Sequence, residues 1–216
     1  MASVYIEAIK QVQEKGPYYL AGQSLGGTLA LEIAQQLQVQ GNPVAFLALF
    51  DTYLPEHIPE SMKSRSQSDL LIEQFGFAMG LDAKKLNDIP EEDQLEYIYN
   101  LADEMGVLPS DLNFPQAKRI IEVIFSNARA MIKYRINAYS GNLIHISARS
   151  SLEGSPEIKN KDLKSISGWK DVVQGQLTEY EIDGTHESIL QAPYVKALAE
   201  YLSAELMRSP ENNSNA

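Results

Sequence analysis

Gly22-Gln23-Ser24-Leu25-Gly26 places a serine between two glycines in the pattern G-x-S-x-G. That spacing suits a nucleophile held on a sharp turn between a strand and a helix, where the backbone is strained and the hydroxyl stands above the sheet. A side chain at either flanking glycine, Gly22 or Gly26, is expected to collide with the turn's neighbours. The following helix turns its positive end toward the hydroxyl. The backbone N–H of Leu25 is expected to point at the oxygen of a carbonyl attacked by Ser24. The bare pattern also arises by chance, so its weight comes from context: a short apolar strand precedes it and a periodic helix follows.

A serine hydroxyl is a poor nucleophile until a base takes its proton. The chain has three histidines, His57, His145 and His186. His186 lies in Gly184-Thr185-His186, after an alternating strand and before the last helix, and is the expected base. His145 sits inside the strand LIHIS, where a solvated edge or a satisfied core position is the expected role. His57 follows Pro55-Glu56 in a loop and is expected to face solvent, although its closeness to Asp51 leaves a contact near the site open. A base in turn needs a carboxylate on its far nitrogen to hold the tautomer and stabilise the imidazolium. Asp51 ends the apolar run VAFLALF, 27 residues past Ser24 (51 − 24), and is the favoured acid. Glu153, in the SARSSLEG loop after a later strand, is the alternative. Asp183 and Glu187 flank the histidine too closely to reach behind its ring.

The elements that must position these groups form a simple series. Val4 to Glu14 reads as a short amphipathic helix, ended by Gly16-Pro17, and Tyr18 to Ala21 as a strand. A helix follows Gly26-Gly27 as far as about Gln40, with Leu29, Ile33 and Leu37 on one stripe and Gly41 as its stop. Val44 to Phe50 is apolar without alternation, as in a parallel strand buried on both faces. The middle holds helical patterns at Asp69–Met79, Glu91–Met105 and Gln116–Tyr139, and no convincing strand. Asn142–Ala148 and Leu177–Ile182 return to strand character, and Pro193–Met207 closes with a helix. The expected fold is α/β: a doubly wound, mostly parallel sheet from residues 1–57 and 141–208, a helical insertion at 58–140, and a frayed tail at 209–216. The aromatics Phe75, Phe77, Tyr97, Tyr99, Phe125 and Tyr134 are expected in the core of the insertion, and Trp169 as a packing anchor beside the His186 loop.

Composition narrows the chemistry. Without cysteine, a thiolate nucleophile, a disulfide framework and a cysteine-bound metal are excluded. A formal charge of −11, from 18 basic and 29 acidic residues, gives no electrostatic footprint for nucleic acid or an anionic membrane. No apolar stretch approaches the roughly 20 residues of a membrane span. The first ten residues carry no basic leader with an apolar run, so a cytoplasmic location is expected. No metal or tightly bound cofactor is expected.

The segments GQSLGGTLALEIAQQLQVQG, VAFLALFDTYLP, GWKDVV and EYEIDGTHESIL together resemble the integrated thioesterase domains of nonribosomal peptide and polyketide synthetases, members of the α/β-hydrolase superfamily. The resemblance covers nearly the whole chain. It implies Ser24 as nucleophile, Asp51 in LFDTYLP as acid, His186 in GTHESIL as base, and a variable helical lid at about 58–140. The implied activity is release of an acyl, peptidyl or polyketide chain from the phosphopantetheine of a carrier protein through an acyl-Ser24 intermediate, by hydrolysis or macrocyclisation. No phosphopantetheine attachment signature occurs in the chain, so the implied carrier is another domain or protein. A stand-alone proofreading thioesterase, a small-ester esterase and a non-catalytic carrier-binding module are the competing readings. Members of the family carry several strands before the nucleophile strand, whereas 23 residues precede Ser24 here. An N-terminally truncated sheet is therefore expected, with the second oxyanion donor outside this chain and a strand edge open to homodimerisation.

Overall fold

A computed structural model describes residues 1–54, 66–149 and 168–208. They divide into two units, Met1–His57 with Tyr134–Ala216, and Ile58–Lys133.

The first unit is built on a parallel sheet. Its strands are β1 (Tyr18–Gln23), β2 (Val44–Phe50), β3 (Leu143–Ala148) and β4 (Leu177–Ile182), paired in the order β1-β2-β3-β4. Successive side chains of a strand point to opposite faces, and β2 shows what that does to an unbroken apolar run. Leu47 and Leu49 enter a core with Leu31, Ala34, Leu143 and Trp169. Phe46, Ala48 and Phe50 enter a second core with Ile144, Ile146, Ile182 and Leu198. Helix α2 (Leu25–Val39) supplies the first cover and the C-terminal helix, Val195–Arg208, the second. Burying a leucine such as Leu47 or Leu49 on one of these faces contributes about 1.5–3 kcal/mol. Both faces being covered is why β2 shows no alternation.

Helix α1 (Ala2–Val12) lays Ala2, Ile6 and Ile9 against Tyr18, Ile33 and Leu37, and its last turn closes with the N–H of Gln13 on the carbonyl of Ile9. The strand that follows runs two residues further than expected, to Gln23, so the serine begins where the ladder ends. The N–H of Ser24 still bonds the carbonyl of Phe50 at 3.0 Å. At the other end of the sheet β4 is half-buried along most of its length, consistent with an outer strand.

In the second unit α3 (Gln67–Met79), α4 (Ala83–Asn87), α5 (Gln94–Glu104) and α6 (Phe114–Lys133) pack Leu71, Leu86, Leu95, Ile98, Ile121 and Phe125 into a core of their own. Ser66 and Asp69 form a capping box at the start of α3, and Asp82 caps α4. The buried Gln94 amide bonds Ser68 Oγ and the carbonyls of Leu86 and Ile89, which ties α3, α4 and α5 together. No strand occurs among the described residues of this unit. Phe125 and, at its margin, Phe75 and Tyr97 fill this core as expected. The side chain of Phe77 lies outside the described residues.

The helical pattern beginning near Gln116 ends at Lys133, not at Tyr139. From Tyr134 onward the chain is recruited by the sheet unit: Tyr134 OH bonds Glu32, Gln35 Nε2 reaches the carbonyl of Asn137 at 2.7 Å, and the buried Tyr139 bridges to Val173. Those tertiary bonds replace the ones a continuing helix would have made. Tyr134 accordingly belongs to the sheet unit rather than to the helical core. A short helix, α7 (Trp169–Val172), precedes β4, and the Val195–Arg208 helix is α8. The segments holding His57 and Glu153, and the tail after Arg208, lie outside the described residues.

Candidate active site

Parallel strands bring their carboxyl ends to one edge of the sheet, and the register shows which residues leave there together. Gln23 pairs with Phe50, so Ser24 and Asp51 are the next residues out of neighbouring strands. Ala148 pairs with Ile182, so the loop carrying His186 leaves from the same edge.

Ser24 sits at φ 53° and ψ −123° immediately before α2. A non-glycine residue in such a region costs of order 1–3 kcal/mol and persists only where its surroundings over-determine it. Here the Ser24 carbonyl accepts from Gly27 N–H at 3.0 Å and Thr28 N–H at 3.2 Å, while its N–H is held by Phe50. Thr52 Oγ1 stands 3.3 Å from the same carbonyl and 3.0 Å from that of Phe50, which links the elbow to the acid strand. A Cβ at Gly22 would lie 2.1 Å from the carbonyl oxygen of Gly26, so only glycine fits there. Gly26 corrects the expectation: a Cβ on it would meet nothing within 4 Å, because it faces outward from the first turn of α2. The second crowded position is Gly27, whose Cβ would stand 2.1 Å from Thr52 Oγ1.

The Ser24 hydroxyl does not cap α2, and among the described residues it makes no hydrogen bond, to His186 included. The N–H of Leu25, first in α2, has no intrahelical acceptor and is the donor available to an oxyanion beside Ser24.

Asp51 is buried, also has a positive φ (44°), and is anchored by its N–H on the carbonyl of Ile146 at 2.7 Å. Its Oδ2 lies 2.6 Å from His186 Nδ1. Its Oδ1 accepts the Tyr53 hydroxyl at 2.9 Å and the Ala148 N–H at 3.0 Å. A buried carboxylate is tolerable only with such partners. The hydrogen bond to Asp51 raises the His186 pKa above the ordinary imidazole value, against burial, which lowers it; the charges of Asp51 and Glu187 add to the rise. With Nδ1 committed to Asp51, Nε2 is the ring nitrogen not engaged by that carboxylate.

The His186 loop is fixed from several sides. Thr185 N–H bonds Ser188 Oγ at 2.9 Å, Ile189 is buried in the second core, and the Gln23 amide donates to the carbonyl of His186. Asp183 is instead paired with Arg149, and Glu187 accepts from Thr185 Oγ1 at 2.8 Å. Neither stands behind the ring of His186.

His145 is a core residue. It is 2% exposed, flanked by the rings of Tyr53 and Trp169, and burial lowers its pKa to about 4, so it is neutral at pH 7. Trp169 is fully buried and donates from Nε1 to the carbonyl of Thr52 at 2.9 Å. It therefore anchors the exit of the acid strand. Gln23, Thr52, Tyr53 and the Ala148 N–H are the groups the sequence reading did not single out. No sequence signal marks Tyr53: β2 ends at Phe50 and Asp51 has a positive φ, so strand alternation does not carry across to it.

Among the described residues no cluster of His, Asp and Glu is arranged to hold a metal ion, and no helix is long and apolar enough to cross a membrane.

A family model for the thioesterase domain matches residues 1–206. The chain belongs to the thioesterase domain family. It is 27% identical over 217 residues to microperfuranone synthase of Emericella nidulans, which covers 94% of this chain and 22% of that protein. To a dimodular nonribosomal peptide synthase of Bacillus subtilis it is 26% identical over 206 residues, covering 95% of this chain and 8% of that protein. The chain thus spans 22% and 8% of the lengths of these two curated relatives. A four-domain nonribosomal peptide synthetase structure, with AMP and glycine bound, superposes with a TM-score of 0.78 at 24% identity, over 95% of this chain and 15% of that one. That likeness is one of fold: a parallel α/β sheet of the kind this thioesterase domain shows.

Proposed function

We propose that this thioesterase domain is a serine hydrolase that releases an acyl, peptidyl or polyketide chain from a phosphopantetheinyl carrier protein through an acyl-Ser24 intermediate. The observation that carries the reading is the 2.6 Å pair of His186 Nδ1 and Asp51 Oδ2, at the sheet edge from which the strained Ser24 also leaves. In this reading His186 Nε2 takes the Ser24 proton as Oγ attacks the thioester carbonyl. The Leu25 N–H faces the developing oxyanion. As the tetrahedral centre collapses, the C–S bond breaks and the imidazolium gives its proton to the departing pantetheine sulfur. Water, or an amine or hydroxyl of the chain itself, then attacks the Ser24 ester with its proton passing to His186, and Ser24 Oγ recovers a proton as it leaves. Asp51 stays ionised throughout and stabilises the imidazolium. The carrier is the partner this reading requires.

The test is covalent labelling by a fluorophosphonate, with turnover of an acyl-N-acetylcysteamine thioester measured beside that of a nitrophenyl ester. Ser24→Ala is expected to abolish labelling, and Asp51→Asn to slow it by about 10³–10⁴-fold. A folded His186→Ala protein that labels at the wild-type rate would falsify the proposal. Nitrophenyl-ester turnover without thioester turnover would leave the nucleophile and remove the carrier.

A further inference from the structure

The Asp51 carboxylate is held from both ends, and the two ends do different things. Oδ2 meets the imidazole, whereas Oδ1 receives two donors, the Tyr53 hydroxyl at 2.9 Å and the Ala148 N–H at 3.0 Å. Tyr53 is itself well placed to keep this bond. Its neighbours Thr52 and Leu54 are buried, and its ring meets that of His145 edge-on with centroids 6.2 Å apart. Burial first, then the charge of Asp51 and the hydrogen bond to it, push its pKa far above the ordinary phenol value. It is therefore a donor at every pH at which the protein works.

We propose that Tyr53 is a positioning residue of this site, whose hydroxyl draws charge from the far oxygen of Asp51 and so sets how strongly that carboxylate holds the His186 imidazole. The inference rests on the Ser24–His186–Asp51 reading and deepens it. A hydrogen bond to a carboxylate disperses its charge and weakens its pull on a cation at the other oxygen. Removing the Tyr53 hydroxyl leaves the Ala148 N–H on Oδ1, so the carboxylate keeps its orientation. The charge effect then wins: more negative charge resides at Oδ2, and the imidazolium is held more tightly. The base is protonated over a wider range and works only at higher pH. Among the described residues, the other titratable groups facing the cluster include Glu181 from β4, Glu187 from the histidine's own loop and the buried His145 from β3. All three stay in place when one hydroxyl is removed.

The experiment is an NMR titration of the histidine rings, with the His186 signals assigned by their loss in His186→Gln; three histidines keep the spectrum simple. In Tyr53→Phe the His186 midpoint is expected to rise by about one pH unit, a fraction of the strength of a charged hydrogen bond. The acid limb of Ser24 labelling should rise by the same amount. Tyr53→3-fluorotyrosine, a stronger donor of nearly the same shape, is expected to lower the midpoint. A purely structural role for Tyr53 would move the melting temperature of Tyr53→Phe and leave the His186 midpoint at the wild-type value in both variants. That result would overturn the inference while leaving the triad standing. An Asp51→Asn protein whose His186 midpoint fails to fall would remove the Asp51–His186 pair, and the proposed function with it.

Discussion

The side chain next to Ser24 does a job separate from the one proposed for that serine. Gln23 donates its amide to the backbone carbonyl of His186, so one residue of the elbow restrains the loop that carries the proposed base. A single neutral hydrogen bond is worth about 0.5–1.5 kcal/mol, which converts to roughly 2- to 13-fold in rate if it acts only on the base's position. Gln23→Ala should therefore slow fluorophosphonate labelling by roughly 2- to 13-fold. Gln23→Glu should be slower still, because a carboxylate sets an acceptor against an acceptor. In both variants the thermal midpoint should stay near the wild-type value, and a loss of fold would contradict the assignment. The His186 imidazole is raised by its Asp51 partner, so the acid limb of the wild-type labelling profile should lie above the ordinary imidazole value of about 6.5. A limb below that value would mean that His186 is not the base.

At the scale of elements, the turn between β1 and α2 depends on how closely strand and helix approach. Gly22 packs against the carbonyl of Gly26, and Gly27 against the Thr52 hydroxyl, whereas Gly26 touches nothing that a methyl group would displace. Gly22→Ala is expected to force the turn apart, lowering stability by about 2–4 kcal/mol and abolishing labelling. Gly26→Ala is expected to leave the urea midpoint unchanged or raise stability by up to about 1 kcal/mol, since alanine favours a helix more than glycine does. Equal losses in the two variants would show that the elbow is crowded on both sides. The end of α6 makes a related point about boundaries. The sequence pattern allowed the helix to run on to Tyr139, but Gln35, Glu32 and Val173 offer residues 134–139 bonds that a free helix end lacks.

For the molecule as a whole, two histidines contribute to the pH dependence of stability in opposite directions. His145 is held neutral by burial, with its pKa lowered to about 4, so the unfolded chain takes up its proton before the folded one does. Its contribution is intact above about pH 6.5 and is lost as pH falls toward 4, by up to about 1.4 kcal/mol per pH unit. His186 has a raised pKa, so the stability it adds is full below about pH 6.5 and is lost as pH rises through its folded value. Urea midpoints measured from pH 7 to pH 5 should fall, and His145→Gln should flatten that fall. An unchanged slope in the variant would assign the acid sensitivity to other groups. Much of this architecture was legible in the linear chain. An apolar run without alternation marked β2 as a strand covered on both faces, and G-x-S-x-G between strand and helix periodicities marked the turn. Asp51 and His186 could be nominated because a group that leaves a parallel strand at its carboxyl end must emerge at the shared edge. These features are local: they depend on side-chain period and backbone sterics, which a sequence states directly. The choice of Asp51 as the partner of His186, the tilt of its carboxylate under Tyr53 and Ala148, and the grip of Gln23 on the histidine loop were decided only when distant segments met. Whether Gly26 or Gly27 is the crowded glycine was decided the same way, by a threonine 25 residues further on (52 − 27) that packs beside one and not the other. Hydrogen bonds and close packing act over about 3 Å, and separation along the chain carries no information about which groups come within that reach.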